Sequence, residues 1–465
     1  MPSPVLDRFD SGTLFDEKNF RMPATDNRPF HPLWPSASYR LHAMIRSMLL
    51  VGLLTTHLSQ LALGQDPAKN ATEAPSAKEV LAKLKNLQEL NGFELNSLTP
   101  YESQLLTKDE AAEWHQFVQS ALATNATEAR KPEFTERQLK HDDLFMKFEY
   151  KVFGEKPAAG RSLYISMHGG GGAPKRVNDS QWRNQIGLYE PKEGVYVAPR
   201  APTDTWNLWH QAHIDPLFVR LIEDMILFEG VTPDRVYLMG YSAGGDGVYQ
   251  LAPRMADRFA AASMMAGHPN ETQPLGLRNL PFALFMGGKD DAYQRNAIAE
   301  KWSQQLDELQ KSDPQGYTHL VKIYPDKGHW MDRQDAEGVP WMAQFTRNRW
   351  PKKVVWKQDD VTHQNFYWLE VLAEQVKGGV TLTAEVIGQE IRIQGNDLEA
   401  LTLNLSDNLL DLEVPIKVIW NEQVCFEGKA TRTVRAVQAA YAQELFPASP
   451  ATAKLEITKP GPAAK

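Results

Sequence analysis

The feature of this 465-residue chain that most constrains its fold is a serine held between glycines, Gly240-Tyr-Ser-Ala-Gly244. The apolar segment 236–240 predicts a β-strand before it, and the segment 245–255 predicts a helix after it. At such a strand-to-helix turn the serine occupies strained backbone, and flanking glycines let the strand and the helix approach closely. The motif therefore predicts that Ser242 is a nucleophile at the carboxyl edge of a sheet. The alternative is a glycine-rich turn without chemistry.

Short apolar strands and helices alternate around this turn. The predicted strands are 161–169, 195–200, 236–240, 259–267, 281–287 and 319–325, and the predicted helices include 215–228, 245–255 and 296–311. Repeated strand–helix alternation is typical of a mostly parallel sheet that is covered by helices on both faces. We therefore expect an α/β fold for this part of the chain.

A second glycine motif, His168-Gly-Gly-Gly-Gly172, follows an earlier predicted strand. Acyl transfer through a tetrahedral intermediate needs backbone N–H groups aimed at the developing negative oxygen, and glycines leave the backbone unobstructed for that purpose. A flexible loop or a phosphate cradle is the alternative. No Gly-Lys-Ser/Thr follows the glycines, which argues against a phosphate-binding P-loop.

Four motifs together resemble the α/β-hydrolase family. They are closest to its secreted serine esterases of the polyhydroxybutyrate-depolymerase and feruloyl-esterase type, which include predicted peptidases. The motifs are 168–172, 240–245, Gly287-Gly-Lys-Asp290 and Lys327-Gly-His329-Trp330, all within 141–350. The resemblance implies an α/β-hydrolase fold and a catalytic triad of Ser242, Asp290 and His329, in that order along the chain.

The resemblance also implies oxyanion donors, namely the backbone N–H of Ala243 and that of Gly170 or Gly171. Asp291 is adjacent to Asp290, and spacing alone leaves it open as the acid. Three other histidines follow the serine: His268 after the strand at 259–267, His319 at the wrong end of a strand, and His363 beyond the domain. We expect His168 to orient the glycine loop rather than to act as a base.

These assignments predict a mechanism with an acyl-enzyme intermediate. His329 removes the Ser242 proton as the hydroxyl attacks an acyl carbonyl, and Asp290 fixes the imidazole tautomer. No metal and no organic cofactor is required. Ligands bind near the carboxyl ends of strands in doubly wound sheets, and the candidate pocket residues there are Trp206, Trp209, His268 and Trp330. Ordinary packing is the alternative for the aromatic side chains.

The remaining segments divide by composition and periodicity. Residues 44–64 have the basic, apolar and small-residue parts of a signal peptide, so Met44 is the expected true start and 1–43 an upstream segment outside the gene product. An internal buried helix and a retained membrane anchor are the alternatives for 44–64. We expect a helical N-terminal pre-domain at 66–140, the α/β-hydrolase catalytic domain at 141–350, a small C-terminal all-β domain at 351–446 and a flexible tail at 447–465. The β domain is expected to fold separately and to supply no triad residue.

Charge and hydropathy restrict the partners. The net charge is −8 without a block of Lys or Arg, which argues against a nucleic-acid partner. No apolar run reaches the ~18 to 20 residues that stable membrane insertion needs, and the single cysteine, Cys425, excludes an intrachain disulfide. The sequence thus predicts a secreted or periplasmic serine hydrolase that cleaves small-molecule or polymer carboxylic esters. A serine peptidase and a non-catalytic secreted binding protein are the alternatives, and the oligomeric state stays open.

Overall fold

The computed structural model describes residues 75–89 and 92–461. Contacts group Glu73–Lys465 as one unit, which includes the segments predicted as a helical pre-domain, a catalytic domain and a β domain. The predicted upstream segment, 1–43, and the predicted signal peptide, 44–64, lie outside the described residues. Within the described ranges, no helix has the length and apolar character to cross a membrane.

Two helices begin the described chain, α1 (Ala77–Glu89) and α2 (Lys108–Glu136). Each starts at a capping box. The N–H of Glu79 donates to Ser76 Oγ at 3.3 Å, and the N–H of Glu110 donates to Thr107 Oγ1 at 3.3 Å. A capping box satisfies N–H groups that the first helical turn leaves without an acceptor. Both helices therefore begin where a local sequence motif supplies these acceptors.

The largest sheet has eight strands in the order β1-β2-β4-β3-β5-β6-β7-β8. These strands are β1 (Gln138–His141), β2 (Leu144–Phe153), β3 (Arg161–Met167), β4 (Gly194–Arg200), β5 (Val231–Tyr241), β6 (Ala261–Met265), β7 (Phe282–Gly287) and β8 (His319–Tyr324). The pairs β1–β2 and β2–β4 are antiparallel. All the other neighbours in this sheet are parallel, so the carboxyl ends of β3 to β8 share one edge.

Helices cover both faces of this sheet. They are α3 (Lys175–Ile186), α4 (Ile214–Glu229), α5 (Ala243–Arg254), α6 (Arg295–Ser312) and α7 (Gly338–Met342). Successive residues of one strand enter opposite apolar clusters, because side chains alternate between the two faces: Leu163 and Ile165 of β3 belong to one cluster and Tyr164 to the other. Such two-sided burial confirms the doubly wound, mostly parallel sheet of the α/β-hydrolase fold.

Two smaller sheets follow, in the orders β16-β15-β13-β12-β9 and β10-β11-β14-β17. Their strands, with one helix, are β9 (Lys353–Lys357), β10 (Asn365–Phe366), β11 (Leu369–Glu370), β12 (Thr381–Ile387), β13 (Glu390–Gln394), β14 (Ala400–Leu405), β15 (Ile416–Trp420), β16 (Gln423–Gly428), α8 (Val434–Ala440) and β17 (Ala453–Thr458). Leu382 of β12 and Leu403 of β14 lie in the same apolar cluster, so both sheets contribute to one core.

Three features differ from the prediction. The segment expected to be a flexible tail contains β17, which pairs antiparallel with β14; this long-range pairing has no signal in a composition rich in Pro, Ala and Lys. The predicted limit at residue 140 falls inside β1, the edge of the large sheet. The β-rich region also shares its core with that sheet, since Trp356 of β9 and Leu284 of β7 belong to one apolar cluster. This continuity argues against a separately folding β domain.

Candidate active site

Ser242 lies at the junction of β5 and α5, with φ 58° and ψ −122°. A positive φ is strained for a residue with a side chain, and strain of this kind is typical of nucleophile turns. The flanking glycines permit the turn. A Cβ on Gly240 would lie 2.2 Å from the carbonyl oxygen of Gly244, and a Cβ on Gly244 would lie 2.1 Å from that of Met167. The glycine spacing therefore reflects close contact of the helix start with β3 and β5.

His329 connects Ser242 to Asp290. Its Nε2 lies 2.9 Å from Ser242 Oγ, and its Nδ1 lies 2.7 Å from Asp290 Oδ2. An ionised carboxylate only accepts hydrogen bonds, so Nδ1 carries the proton and Nε2 is left to accept the serine hydroxyl. The Asp290 side chain is 2% exposed and that of His329 is 19% exposed. The carboxylate is therefore shielded, while the imidazole is partly exposed.

Asp290, and not its neighbour, is the carboxylate that the structure brings to His329. Asp290 is buried, whereas Asp291 is exposed. The rings of the other candidate histidines contact different groups. The ring of His319 lies 3.2 Å from Asp307 Oδ1, that of His363 lies 2.8 Å from Asp215 Oδ2, and Nδ1 of His268 accepts the backbone N–H of Asn270 at 2.9 Å.

Tyr241, which the sequence analysis did not single out, holds the loop that carries His329. Its hydroxyl donates to the carbonyl oxygen of His329 at 2.5 Å and accepts the N–H of Met331 at 3.2 Å. Burial raises the pKa of the Tyr241 phenol well above its usual value, so the hydroxyl stays neutral and can both donate and accept. Its position beside the serine was the only sequence signal that pointed to this residue.

The glycine loop after β3 lies directly against the nucleophile, since a Cβ on Gly169 would lie 3.1 Å from Ser242 Cβ. His168 fixes the start of this loop. Its Nε2 accepts the N–H of Ala201 at 3.1 Å, and its Nδ1 lies 2.6 Å from the carbonyl oxygen of Gly169. Burial lowers the pKa of His168 to about 4, so the imidazole is neutral and its proton resides on Nδ1. These contacts agree with the loop-orienting place expected for His168.

Of the predicted oxyanion donors, Gly171 is already engaged. Its N–H donates to Asn178 Oδ1 at 2.8 Å, so the prediction of Gly171 as a donor to a ligand is wrong. The N–H of Gly170 remains on the same loop. Ala243 is the first residue of α5, where helix geometry supplies no acceptor for the N–H. Among the described residues, Gly170 and Ala243 therefore stay the predicted oxyanion donors.

Two of the predicted pocket residues, Trp206 and Trp330, are exposed. Trp206 is 63% exposed and Trp330 is 39% exposed. The ring of Trp330 lies 5.6 Å from that of Tyr241, and the side chain of Trp206 lies next to the glycine loop, 3.4 Å from the place of a Cβ on Gly172. Both rings offer flat apolar surface to a ligand.

The other two pocket predictions have different outcomes. Trp209 is fully buried and its Nε1 donates to the carbonyl oxygen of His168 at 2.9 Å. The prediction that Trp209 lines the pocket is wrong, because this side chain is buried and its hydrogen bond holds the start of the glycine loop. His268 is partly exposed, and burial lowers the pKa of its ring. It lies one residue beyond the end of the 259–267 segment, at the same sheet edge as Ser242.

A second carboxyl group, Asp246, lies one helical turn after Ser242. Its Oδ1 accepts the backbone N–H of His268 at 2.6 Å. Burial raises the pKa of Asp246 to about 6, opposed by this hydrogen bond and by the nearby charge of Arg295. Arg295 also places Nη1 3.3 Å from Asp290 Oδ1. One arginine therefore faces both carboxyl groups, a feature that the sequence analysis missed.

The likenesses to known proteins are distant. No family model matches the chain, and no curated protein matches it. Among solved structures, a thermostable esterase is 17% identical over 45% of this chain and 62% of its own length, less than two thirds, with a TM-score of 0.33. A ferulic acid esterase is 14% identical over 44% of this chain and 96% of its own, with a TM-score of 0.32. A poly(3-hydroxybutyrate) depolymerase from Bordetella parapertussis is 16% identical over 43% of this chain and 89% of its own, with a TM-score of 0.32.

Proposed function

We propose that this chain is a serine hydrolase that cleaves carboxylic esters through an acyl-enzyme intermediate. The observation that supports this proposal is the hydrogen-bonded series from Ser242 Oγ through His329 to Asp290. A serine hydroxyl is a weak nucleophile by itself, and an adjacent base held by a third group is the arrangement that activates it.

In the proposed reaction His329 Nε2 takes the proton of Ser242 as Oγ bonds to the acyl carbon. The former carbonyl oxygen becomes negative and accepts the N–H groups of Gly170 and Ala243. His329 then gives its proton to the alcohol oxygen, the C–O bond breaks, and the acyl group stays on Ser242. A water molecule that loses its proton to His329 attacks next, releasing the acid and restoring the serine. Asp290 stabilises the imidazolium in both halves of the cycle.

Carboxylic esters, small or polymeric, are proposed as the substrates because the four motifs resemble those of secreted esterases. The exposed rings of Trp206 and Trp330 are suited to hold an apolar or cyclic part of such a substrate. No residue of the triad or of the oxyanion pair calls for a metal or an organic cofactor in this reaction.

A fluorophosphonate probe combined with a substrate panel tests the proposal. The full chain is offered p-nitrophenyl acetate and butyrate, methyl ferulate and peptide anilides, and the labelled residue is located by mass spectrometry. We expect label on Ser242 and turnover of at least one ester. Turnover of anilides alone would make the chain a peptidase, and the absence of both label and turnover would favour a non-catalytic scaffold.

Two serine variants sharpen this test. Ser242→Ala should lower kcat by ~10⁴- to 10⁶-fold, as the loss of a triad member does, with little change in Tm. Ser263→Ala is the matched control, because Ser263 is buried on the neighbouring strand β6 and its hydroxyl has no hydrogen-bond partner among the described residues. Activity of Ser242→Ala within tenfold of the unmodified chain would contradict the proposed nucleophile.

Export is proposed separately, on the three-part pattern of residues 44–64. The mature protein recovered from its host should begin at or near Gln65. Peptides from 1–43 in that mature protein would overturn both the start at Met44 and the cleavage.

A further inference from the structure

The four successive glycines of the loop after β3 cannot fix their own conformation. Glycine populates positive and negative φ with similar ease, and Gly170, Gly171 and Gly172 have φ of +105°, +83° and +58°. An oxyanion donor is effective only when its N–H is aimed before the reaction begins. The aim of the Gly170 N–H must therefore be imposed by side chains that contact the loop.

One such side chain belongs to Asn178 on α3, which is fully buried. Its Oδ1 accepts the N–H of Gly171 at 2.8 Å, and its Nδ2 donates to the carbonyl oxygen of Ala173 at 3.2 Å. A Cβ on Gly170 would lie 2.2 Å from Asn178 Oδ1, so the amide also touches Gly170. A single amide therefore makes hydrogen bonds to the loop at two positions, Gly171 and Ala173.

We propose that Asn178 is a positioning residue that fixes Gly170 as the oxyanion donor. The inference rests on the proposed serine-hydrolase function and assigns it a residue that none of the four motifs contains. His168 and Trp209 anchor the start of the loop, and Asn178 anchors its end. Gly170 lies between the two anchors.

Asp204 determines which end of the Asn178 amide faces the loop. The Asp204 carboxylate accepts Asn178 Nδ2 at 2.8 Å and also pairs with the guanidinium of Arg200. A carboxylate with a cationic partner only accepts hydrogen bonds. The amide nitrogen must therefore face Asp204, which turns the amide oxygen toward the N–H of Gly171. Arg200 Nε also donates to Asp179 Oδ1 at 2.9 Å. A second carboxylate therefore fixes the guanidinium that pairs with Asp204.

A substitution at Asn178 tests whether this residue orients the Gly170 N–H rather than only stabilising the fold. Asn178→Asp retains the size and an acceptor for Gly171, but it places a carboxylate against Asp204 and removes the donor. We expect kcat to fall about 10- to 100-fold, a part of the ~10²- to 10³-fold that the complete loss of an oxyanion donor costs. KM should stay within about threefold, because the donor acts on the transition state more than on the bound substrate.

A double variant provides the rescue. Asn178→Asp combined with Asp204→Asn keeps the acceptor for the N–H of Gly171 and restores one hydrogen bond between residues 178 and 204, with the donor and the acceptor exchanged. The hydrogen bond to the carbonyl oxygen of Ala173 stays lost. We expect its kcat to return to within about fivefold of the unmodified chain, since residues in one hydrogen-bond network are not additive. Asn184→Asp is the control for an added charge on α3, because Asn184 is exposed on the same helix.

The readout is kcat per active site titrated with fluorophosphonate, together with the inhibition constant of an aryl trifluoromethyl ketone, whose adduct carries an oxyanion. For Asn178→Asp the inhibition constant should rise by the same factor as kcat/KM falls. A kcat per titrated site within twofold of the unmodified chain, or a change in KM alone, would overturn the positioning role. A double variant no better than Asn178→Asp would overturn the part assigned to Asp204. If Ser242→Ala remained active, the proposed function itself would fail, which is a different result.

Discussion

The hydroxyl of Tyr241 donates to the carbonyl oxygen of His329 at 2.5 Å. The residue immediately before the serine thus holds the backbone of the residue proposed as its base. This bond is independent of the imidazole contact at 2.9 Å between His329 Nε2 and Ser242 Oγ. Two contacts therefore fix the position of His329 relative to Ser242. One is the side-chain contact between Nε2 and Oγ, and the other is the hydrogen bond from Tyr241 to the main chain of His329.

Tyr241→Phe should lower kcat about tenfold with little change in KM. The phenyl ring keeps its packing, but the loop loses the acceptor of the Met331 N–H and the donor to His329, and a misplacement of catalytic groups by about 1 Å is costly. Tyr237→Phe is the matched control, because its hydroxyl donates to a carbonyl oxygen away from the triad, that of Phe345, at 2.9 Å. Equal kcat values in the two variants would contradict a role for Tyr241 in the loop.

Neighbouring aspartates allow a direct comparison of the proposed acid. Asp290→Asn should lower kcat by ~10⁴-fold, because an amide at this place favours the wrong imidazole tautomer. Asp291→Asn should have a far smaller effect, since Asp291 is exposed. Steady-state kinetics on a p-nitrophenyl ester measures both variants. The reverse ranking would assign the acid to Asp291.

Acid stability should depend on His115. Burial lowers the pKa of this histidine to about 4, and its ring lies 3.2 Å from Tyr441 Oη and 3.0 Å from the carbonyl oxygen of Ala451. The neutral ring is favoured in the folded state, so its stabilisation is complete above the unfolded pKa of ~6.5 and is lost as the pH falls toward the folded value. That loss amounts to at most about 3 kcal/mol by pH 4.

When the pH falls from 7 to 4.5, the free energy of unfolding should therefore decrease less in His115→Gln than in the unmodified chain. Urea unfolding at both pH values measures the free energies, and other titrating groups cancel in the comparison. His141→Gln serves as the control, because the side chain of His141 is 38% exposed. An identical loss in the unmodified chain and in His115→Gln would refute the assignment.

The β-rich region and the large sheet should unfold together. Trp356 of β9 is 2% exposed in the apolar cluster that also contains core residues of the large sheet. Trp356→Ala should lower the free energy of unfolding by about 3–5 kcal/mol, and ester hydrolysis should be lost at the correspondingly lower urea concentration. Ile387→Ala, at a 53% exposed position of β12 in the same small sheet, should leave that midpoint nearly unchanged. If Trp356→Ala lost ester hydrolysis at the same urea concentration as the unmodified chain, the β-rich region would unfold separately from the large sheet.

The parts that the sequence predicted well are those with local signals. The strand–turn–helix around Ser242 depends on residues within a few positions of each other. The resemblance of the motifs likewise selected Asp290 and His329, the residues that the structure brings to the serine.

The errors arose where partners are distant in the sequence or hidden in the fold. Gly171 looked like a free donor because nothing in the glycine run indicates that Asn178 occupies its N–H. Trp209 looked like a pocket residue because a tryptophan on a loop has the same pattern whether it faces a ligand or supports the backbone of His168. In each case the deciding hydrogen bond forms only after the elements have packed.

The apolar cluster shared by α1, α2 and α8 has a consequence for biosynthesis. Trp114 and Val118 of α2 pack in it with Val437 of α8, and His115 contacts Tyr441, 326 residues further along the chain. At ~5 to 20 residues per second, a ribosome completes that partner roughly 15 to 65 s after α2. During that time the apolar faces of α1 and α2 that contact α8 in the folded protein stay uncovered. The native fold can be reached only after α8 has left the ribosome.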